Sequence, residues 1–298
     1  MKIKKFNKLL SYIDKLSEVE KEYLKSILNT NNSNNKEIMI GDEITISHSI
    51  YGDIPFIVIG KDHDADNSVT LLTKEIVRLL AFDSRETYNT NDERQDYGNN
   101  RYKYSNILQW MNSDKVGGEW YEKQHSYDED PYNTSVVSYN PYSNIDGLLR
   151  GFNSGVVKEM IKVDKITTIP ITDGSGSETV SSKVFLLSNT EVGLANENSI
   201  EEGSIYEYFS NNNTNNQRLA YPSEYCLNNA GGYTSTSFVS GKAWYWWLRT
   251  PHSGHSYNTR IVSTSGTLSY SYAYLAHYGL RFAFCLPTEI YLKLKKEK

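Results

Sequence analysis

A chain of 298 residues is long enough for two modest domains, or one core with large loops, and can bury an interior without covalent staples. Its hydrophobic fraction of 38% is supplemented by an aromatic fraction of 13%, with 24 Tyr and 5 Trp, so aromatic side chains must supply much of the core. A net charge of -5, from 31 basic and 36 acidic residues, offers no basic stripe for a phosphate backbone, and nucleic acid is set aside as a partner.

The first elements are helical. Phe6, Leu9, Leu10, Ile13 and Leu16 recur at helical spacing, and Val19, Tyr23, Leu24, Ile27 and Leu28 continue in a new phase. Between them Ser17-Glu-Val-Glu20 fits a capping box. Two short helices or one kinked helix are expected over residues 4 to 29, with an apolar face to bury on the main body, a sister subunit or a larger assembly. The N-terminus has basic residues but no continuous apolar stretch and no cleavage site, so no secretory leader is expected. No run approaches the ~18 apolar residues of a membrane span. The polar run Asn29–Asn35 reads as a linker, which divides the chain into a helical segment at 1–35 and a domain at 36–298.

From Glu37 the period changes to two. Ile38 to Ile46, Ile54 to Val58 and Val69 to Leu72 read as three antiparallel strands, with turns at Gly41-Asp42 and Asp62–Asn67. Residues 84–147, rich in Asn, Asp, Tyr and Gly, read as a loop-rich insertion holding one short helix opened by Ser105. Val156 to Ile161 suggest a short helix, Ile166 to Ile171 a strand, Asp173–Ser177 a flexible turn, Val184–Leu187 a strand and Ile205 to Phe209 a helix. Asn211–Asn216 reads as an exposed tip. Arg260–Val262 and Thr267–Tyr274 flank Ser265-Gly266, a hairpin signal. Leu280, Phe282, Phe284 and Leu286 alternate with Arg281, Ala283 and Cys285 as a last strand with one apolar face, and Lys293–Lys298 reads as a solvated end.

Little of this points to catalysis. Asp62-His-Asp-Ala-Asp-Asn67 has calcium-loop spacing, but Asn67 and Thr73 stand where that loop needs Gly and Glu, and a polar turn accounts for it better. His252, His255 and His277 are three possible zinc ligands with no helix to fix their geometry; surface contact residues are the preferred reading, and neither metal nor cofactor is expected. Glu191, Glu197, Glu201 and Glu202 read as solvated loop charges. Cys226 and Cys285 read as separate apolar residues, although a bridge between them stays open. What stands out is Ser269-Tyr-Ser-Tyr-Ala-Tyr274, whose three tyrosines share one face of an extended strand. With His252, His255, Tyr257, Asn258 and His277 they form a set rich in Tyr, Ser, Asn and His, the composition that binding surfaces favour because Tyr gives rigid contact area at low entropic cost. The candidate ligand-binding residues are therefore His252, His255, Tyr257, Asn258, Tyr270, Tyr272, Tyr274 and His277.

The motifs Tyr245-Trp-Trp-Leu-Arg-Thr-Pro251 and Gly279-Leu-Arg-Phe-Ala-Phe-Cys-Leu-Pro287 resemble the ending of a bacterial and phage domain family with a W-W-L-R-S-P … G-V-R-P-A pattern. That family is related to the C-type-lectin-fold variable proteins of diversity-generating retroelements and, more remotely, to the formylglycine-generating enzyme fold. Gly41–Ile46, Phe56–Ile59, Ser105–Asn112 and Lys183–Ser188 extend the resemblance over residues 37 to 288. Phe282 stands where the family prefers Pro, Thr250 stands where Ser is usual, and calcium-chelating sugar-binding triplets are absent. The resemblance implies an α+β, C-type-lectin-like fold with small antiparallel sheets and long loops. Its Trp-Leu-Arg strand and final strand would form the base of one sheet. Trp246, Trp247, Leu248, Arg249, Gly279 and Arg281 would be framework, with variable contact positions between them. It implies a non-catalytic recognition protein on a phage or prophage virion surface, as tail tip, fibre or capsid decoration. Such a protein would be homo-oligomeric, attached to other subunits by its N-terminal helices, and would meet a protein or carbohydrate ligand on a cell surface. A purely structural virion protein is the alternative; an enzyme on the formylglycine-generating fold is a lesser one.

Overall fold

The computed structural model describes residues 16–23, 25, 38–132, 136, 140–211 and 214–296. It comprises two units, Met1–Met39 and Ile40–Lys298. In the first unit residues 18–23 are helical. The capping box forms: Ser17 N and Oγ donate to Glu20 Oε2, both at 2.8 Å, and Glu20 N donates to Ser17 Oγ at 3.3 Å. Val19 and Tyr23 are exposed on that helix. The helix expected before Ser17 and the linker Asn29–Asn35 lie outside the described residues.

The second unit mixes short helices with small antiparallel sheets, an α+β arrangement. Strands β1 (Glu43–His48), β2 (Gly52–Lys61) and β3 (Ser68–Thr73) form the predicted meander, but the turn between β1 and β2 falls at 49–51, and Gly41 precedes the first strand. The last strand, β10 (Ala283–Pro287), inserts beside β3, and β6 (Val184–Phe185) completes the order β1-β2-β3-β10-β6. This central position corrects the expectation of one apolar face. Ala283 and Cys285 are as buried as Phe284 and Leu286, because a strand covered on both sides keeps no solvent face. The register sets Ser68 opposite Pro287. Beyond it Thr288–Lys296 is a helix that buries Tyr291 and Leu292, while Lys293, Lys295 and Lys296 are exposed.

A two-stranded sheet pairs β4 (Val163–Thr168) with β5 (Ser177–Ser182). A three-stranded sheet runs β7 (Trp246–Pro251), β8 (Asn258–Val262) and β9 (Leu268–Tyr272). The two framework motifs thus lie in different sheets rather than in one. They meet in a parallel bridge, where Gly279 N donates to the Tyr245 carbonyl at 2.9 Å and Trp247 N to the Gly279 carbonyl at 3.0 Å. Gly279 is required there. A Cβ would sit 2.8 Å from the Tyr245 carbonyl oxygen and 2.7 Å from Ile76.

The described residues of the stretch 84–147 contain regular structure. They carry helix α1 (Asp92–Tyr97), a 3₁₀ turn at Tyr102–Tyr104 and helix α2 (Asn106–Met111), whose first turn is capped by Ser105, as expected. Trp110, Trp120 and Tyr142 anchor the segment in the interior, with Trp120 stacked on Tyr142.

Candidate functional site

The site is built outward from its buried frame. Trp246, Trp247, Leu248, Arg249, Gly279 and Arg281 are all buried. Trp246 Nε1 donates to the Arg218 carbonyl and Trp247 Nε1 to the Leu80 carbonyl, both at 2.9 Å. Arg281 donates to the Thr73 carbonyl at 2.9 Å and stacks over Trp246, and burial lowers its pKa to about 10. Arg249 ends in a charge network. Its guanidinium meets Glu191 at 2.5 Å and the carbonyls of Ile166, Leu186 and Glu202, while Lys165 bridges Glu191 at 2.9 Å and Asp64 at 2.5 Å. Tyr206 Oη donates to Asp64. Burial alone would raise the Glu191 carboxyl, but Arg249 and Lys165 outweigh it and hold the group down to about 2.

Those partners correct two expectations. Glu191, Glu197 and Glu202 are buried rather than solvated, because each answers a cation or hydroxyl that the sequence places far away; Glu201 alone stays exposed. The Asp62–Asn67 turn does join β2 to β3, yet its Asp64 points into this network rather than to solvent. Cys226 and Cys285 are separate, free and buried. Burial pushes their thiols up to about 12 and about 11.

On this frame the β8–β9 hairpin turns at Ser265-Gly266, with Gly266 at φ 75°. Alternation in β9 turns Tyr270 and Tyr272 outward, 49% and 37% exposed, while Ser271 is buried between them. Rings then run in an unbroken row. His252 stacks on His255 at 4.2 Å and 8°, and His255 stacks on Tyr257 at 5.4 Å and 8°. Tyr270 stands edge-on to both histidines. Tyr257 contacts Tyr272 at 5.4 Å, and Tyr272 contacts Tyr274 at 6.3 Å. Two guanidiniums cover the ends of the row: Arg260 over Tyr270 at 5.6 Å, itself paired with Glu197 at 2.6 Å, and Arg85 over Tyr274 at 4.6 Å. Stacked on one another, the two imidazoles and Tyr257 present polar edges rather than free faces.

Six of the eight candidate residues converge in this way. Two do not. Asn258 is buried, 1% exposed, because it opens the central strand of its sheet; it braces the row by contacting His255 Nδ1 at 2.6 Å. His277 belongs to a different aromatic cluster, stacked on Tyr233 at 4.9 Å with its carbonyl accepting from Trp244 Nε1, so the three histidines cannot share a metal ion.

Sequence reasoning missed three residues that complete the row. Tyr97, at the end of α1, sits among Tyr257, Tyr272 and Tyr274 at 5.2, 4.6 and 5.9 Å. Its carbonyl accepts from Tyr274 N, and Gly98 beyond it, at φ 80°, leaves room for the Ser84 carbonyl. Asn100, fully buried, donates through Nδ2 to the carbonyls of His255 at 2.7 Å, Asn258 at 2.8 Å and His252 at 3.2 Å, clamping the loop that carries the histidines. Arg85 is the third. The only advance signal for them was the Tyr- and Asn-rich composition of 84–147.

The sequence model of a family described as a domain of unknown function (DUF6273) matches residues 67–288. The chain belongs to that family. No curated protein and no solved structure matches the chain. The DUF6273 span contains the frame, the aromatic row and the three residues that complete it, and it excludes the helical unit at the N-terminus. No helix among the described residues is long and apolar enough to cross a membrane.

Proposed function

We propose that the protein is a non-catalytic recognition module with a C-type-lectin-like fold, displayed on a phage or prophage particle, whose aromatic row meets a ligand on a cell surface. One observation carries the reading: His252, His255, Tyr257, Tyr270, Tyr272, Tyr274 and Tyr97 form one continuous, partly exposed surface on a buried frame. Rigid tyrosines already ordered by their neighbours lose little entropy on binding, which is the property a contact surface needs. The register that closes Ser68 on Pro287 fits a self-contained module, as the resemblance implies. The elevated thiols of Cys226 and Cys285 argue against a cysteine nucleophile and so against the enzymatic alternative. Placement on a particle rests on the family resemblance.

The test is retention of the fluorescently labelled protein on a panel of bacterial cells, wild type against a Tyr270→Ser, Tyr272→Ser, Tyr274→Ser variant, with thermal melts run alongside. Retention lost at an unchanged fold supports the reading. Equal retention of both proteins would sink it, and an unaltered fold with failed particle assembly would favour the purely structural alternative.

A further inference from the structure

Strand β1 lies at the edge of its sheet, paired with β2 on one side only. Antiparallel pairing uses the backbone groups of alternate residues. Val58 N donates to the Asp42 carbonyl at 2.9 Å, and on the far side of β2 the Pro55 carbonyl accepts from Lys74 N at 2.8 Å. With Ile44 opposite Phe56 and Ile46 opposite Ile54, the ladder therefore takes the amides and carbonyls of Ile44 and Ile46. Those of Glu43 and Thr45 point away from the sheet, and neither meets a backbone partner among the described residues. At its other end the same edge is already paired: Ser49 N donates to the Gly151 carbonyl at 2.8 Å, and His48 bridges Phe152. The chain then turns off into a helix, Ser154–Glu159, and no further segment among the described residues follows the line of that pairing past Thr45.

A cavity of about 520 Å³ runs along this edge, within the range of binding sites, about 300–1,000 Å³. Thr45, Ile46 and Ser47 all line it. Successive strand side chains point to opposite faces, so a cavity touched by three in a row wraps the edge rather than covering one face. Its other walls are two helices, which contribute Val156 from Ser154–Glu159 and Ile290 and Leu294 from Thr288–Lys296. Each of the three is half-buried, so part of each apolar side chain stays within reach of an occupant. Glu159 and Lys293 are the charged residues of the lining, one of each sign, and the groove as a whole is neutral.

We propose that this groove binds an extended, uncharged polypeptide segment of a partner protein, which adds to β1 as a further strand. Its backbone bonds to Glu43 and Thr45, and its alternate apolar side chains rest on Val156, Ile290 and Leu294. The strand edge determines the class of occupant: an extended chain turns an N–H and a C=O to one side every ~7 Å, the interval from Glu43 to Thr45. The groove shares no residue with the aromatic row, and the proposal stands or falls without it.

Amide NMR titration of the full chain with a capped heptapeptide of alternating threonine and valine tests it. Saturable shifts are expected over Glu43 to Ser47 and at Val156, Ile290 and Leu294, with hydrogen exchange slowed at the Glu43 and Thr45 amides. Two further peptides carry N-methyl groups on one alternation of residues or on the other. One is expected to bind as the parent does and the other at least about tenfold more weakly, because a strand turns only alternate amides to its neighbour. Leu294→Lys, which puts a charge into the apolar wall, is expected to weaken the parent peptide at least about tenfold. Thr45→Pro removes an N–H that the β1–β2 ladder does not use and is expected to do the same; if it melts early, the N-methylated pair decides alone. No saturable shift, equal affinity of the two N-methylated peptides, or full affinity in Leu294→Lys would each overturn the proposal.

Discussion

The frame and the row it carries are neighbours in sequence and opposites in physics. Trp246, Trp247, Arg249 and Arg281 are buried; both indole N–H groups, the Arg249 guanidinium and Arg281 Nε meet a carbonyl or carboxylate, while Arg281 Nη1 has no hydrogen-bond partner among the described residues. Tyr270 and Tyr272, two strands away, are more than a third exposed; Tyr270 meets Arg260, His252 and His255, and Tyr272 meets Tyr97, Tyr257 and Tyr274. The difference teaches where change is tolerated. A substitution in the frame leaves a buried partner without its mate, whereas one in the row exposes a neighbour that water can solvate.

The sharpest way to break that contrast is Arg249→Leu. It would leave Glu191 with Lys165 as its one cation and take the guanidinium from the Ile166, Leu186 and Glu202 carbonyls, of which Glu202 keeps Ser188 Oγ, and removing one member of a buried ion network costs about 3–5 kcal/mol. Urea unfolding is expected to show a loss of that size; a loss below about 1 kcal/mol would mean that the network is dispensable and the frame is held by packing alone.

A smaller effect is expected where the frame hands over to the row. Asn100→Ala removes the donor that gathers the His252, His255 and Asn258 carbonyls; His255 N still serves the His252 carbonyl and His252 N the Asn258 carbonyl, so the His255 carbonyl is the one that loses its partner, at about 1–3 kcal/mol. The row should loosen while β7 stays packed. Hydrogen exchange is expected to quicken in 252–258 and to remain slow in β7; uniform quickening would show that clamp and frame unfold as one unit.

The same contrast explains what could be read in advance. Period-two patterning located β2, β3 and the β8–β9 hairpin, but burial alternates clearly only in β9; Ser68–Thr73 in β3 is buried throughout because both faces are covered. Outward Tyr270 and Tyr272 followed from that alternation. Asn258 was misplaced because β8 lies between β7 and β9, so its polarity said nothing of its burial. Asp64 reads as part of a polar turn, Glu191 as a solvated loop charge and Arg249 as framework without its partners, since an ion network assembled from four distant segments has no local signature. Tyr97 and Asn100 escaped for the same reason: they reach the row from more than a hundred and fifty positions away in the chain. Local periodicity reports which way a side chain faces; it does not report who meets it.

The smallest expected effect lies within the row itself. Burial, then Arg260 and His255, lower the His252 pKa from its ordinary 6.5, since a second cation there would sit partly desolvated against a guanidinium and a stacked imidazole. The folded state therefore favours neutral His252. The stability this contributes is present above pH 6.5 and is lost as the pH falls through the lowered folded value. In an NMR titration the His252 ring resonances are expected to move with a midpoint below 6.5, and in Arg260→Gln that midpoint should rise toward 6.5, because one opposing charge is gone while burial remains. A midpoint at or above 6.5 in the wild-type protein would mean that the histidine pair is solvated rather than stacked, and the row would lose its ordered end. A midpoint unmoved by Arg260→Gln would leave burial as the whole cause and free the guanidinium to serve Tyr270 and Glu197 alone.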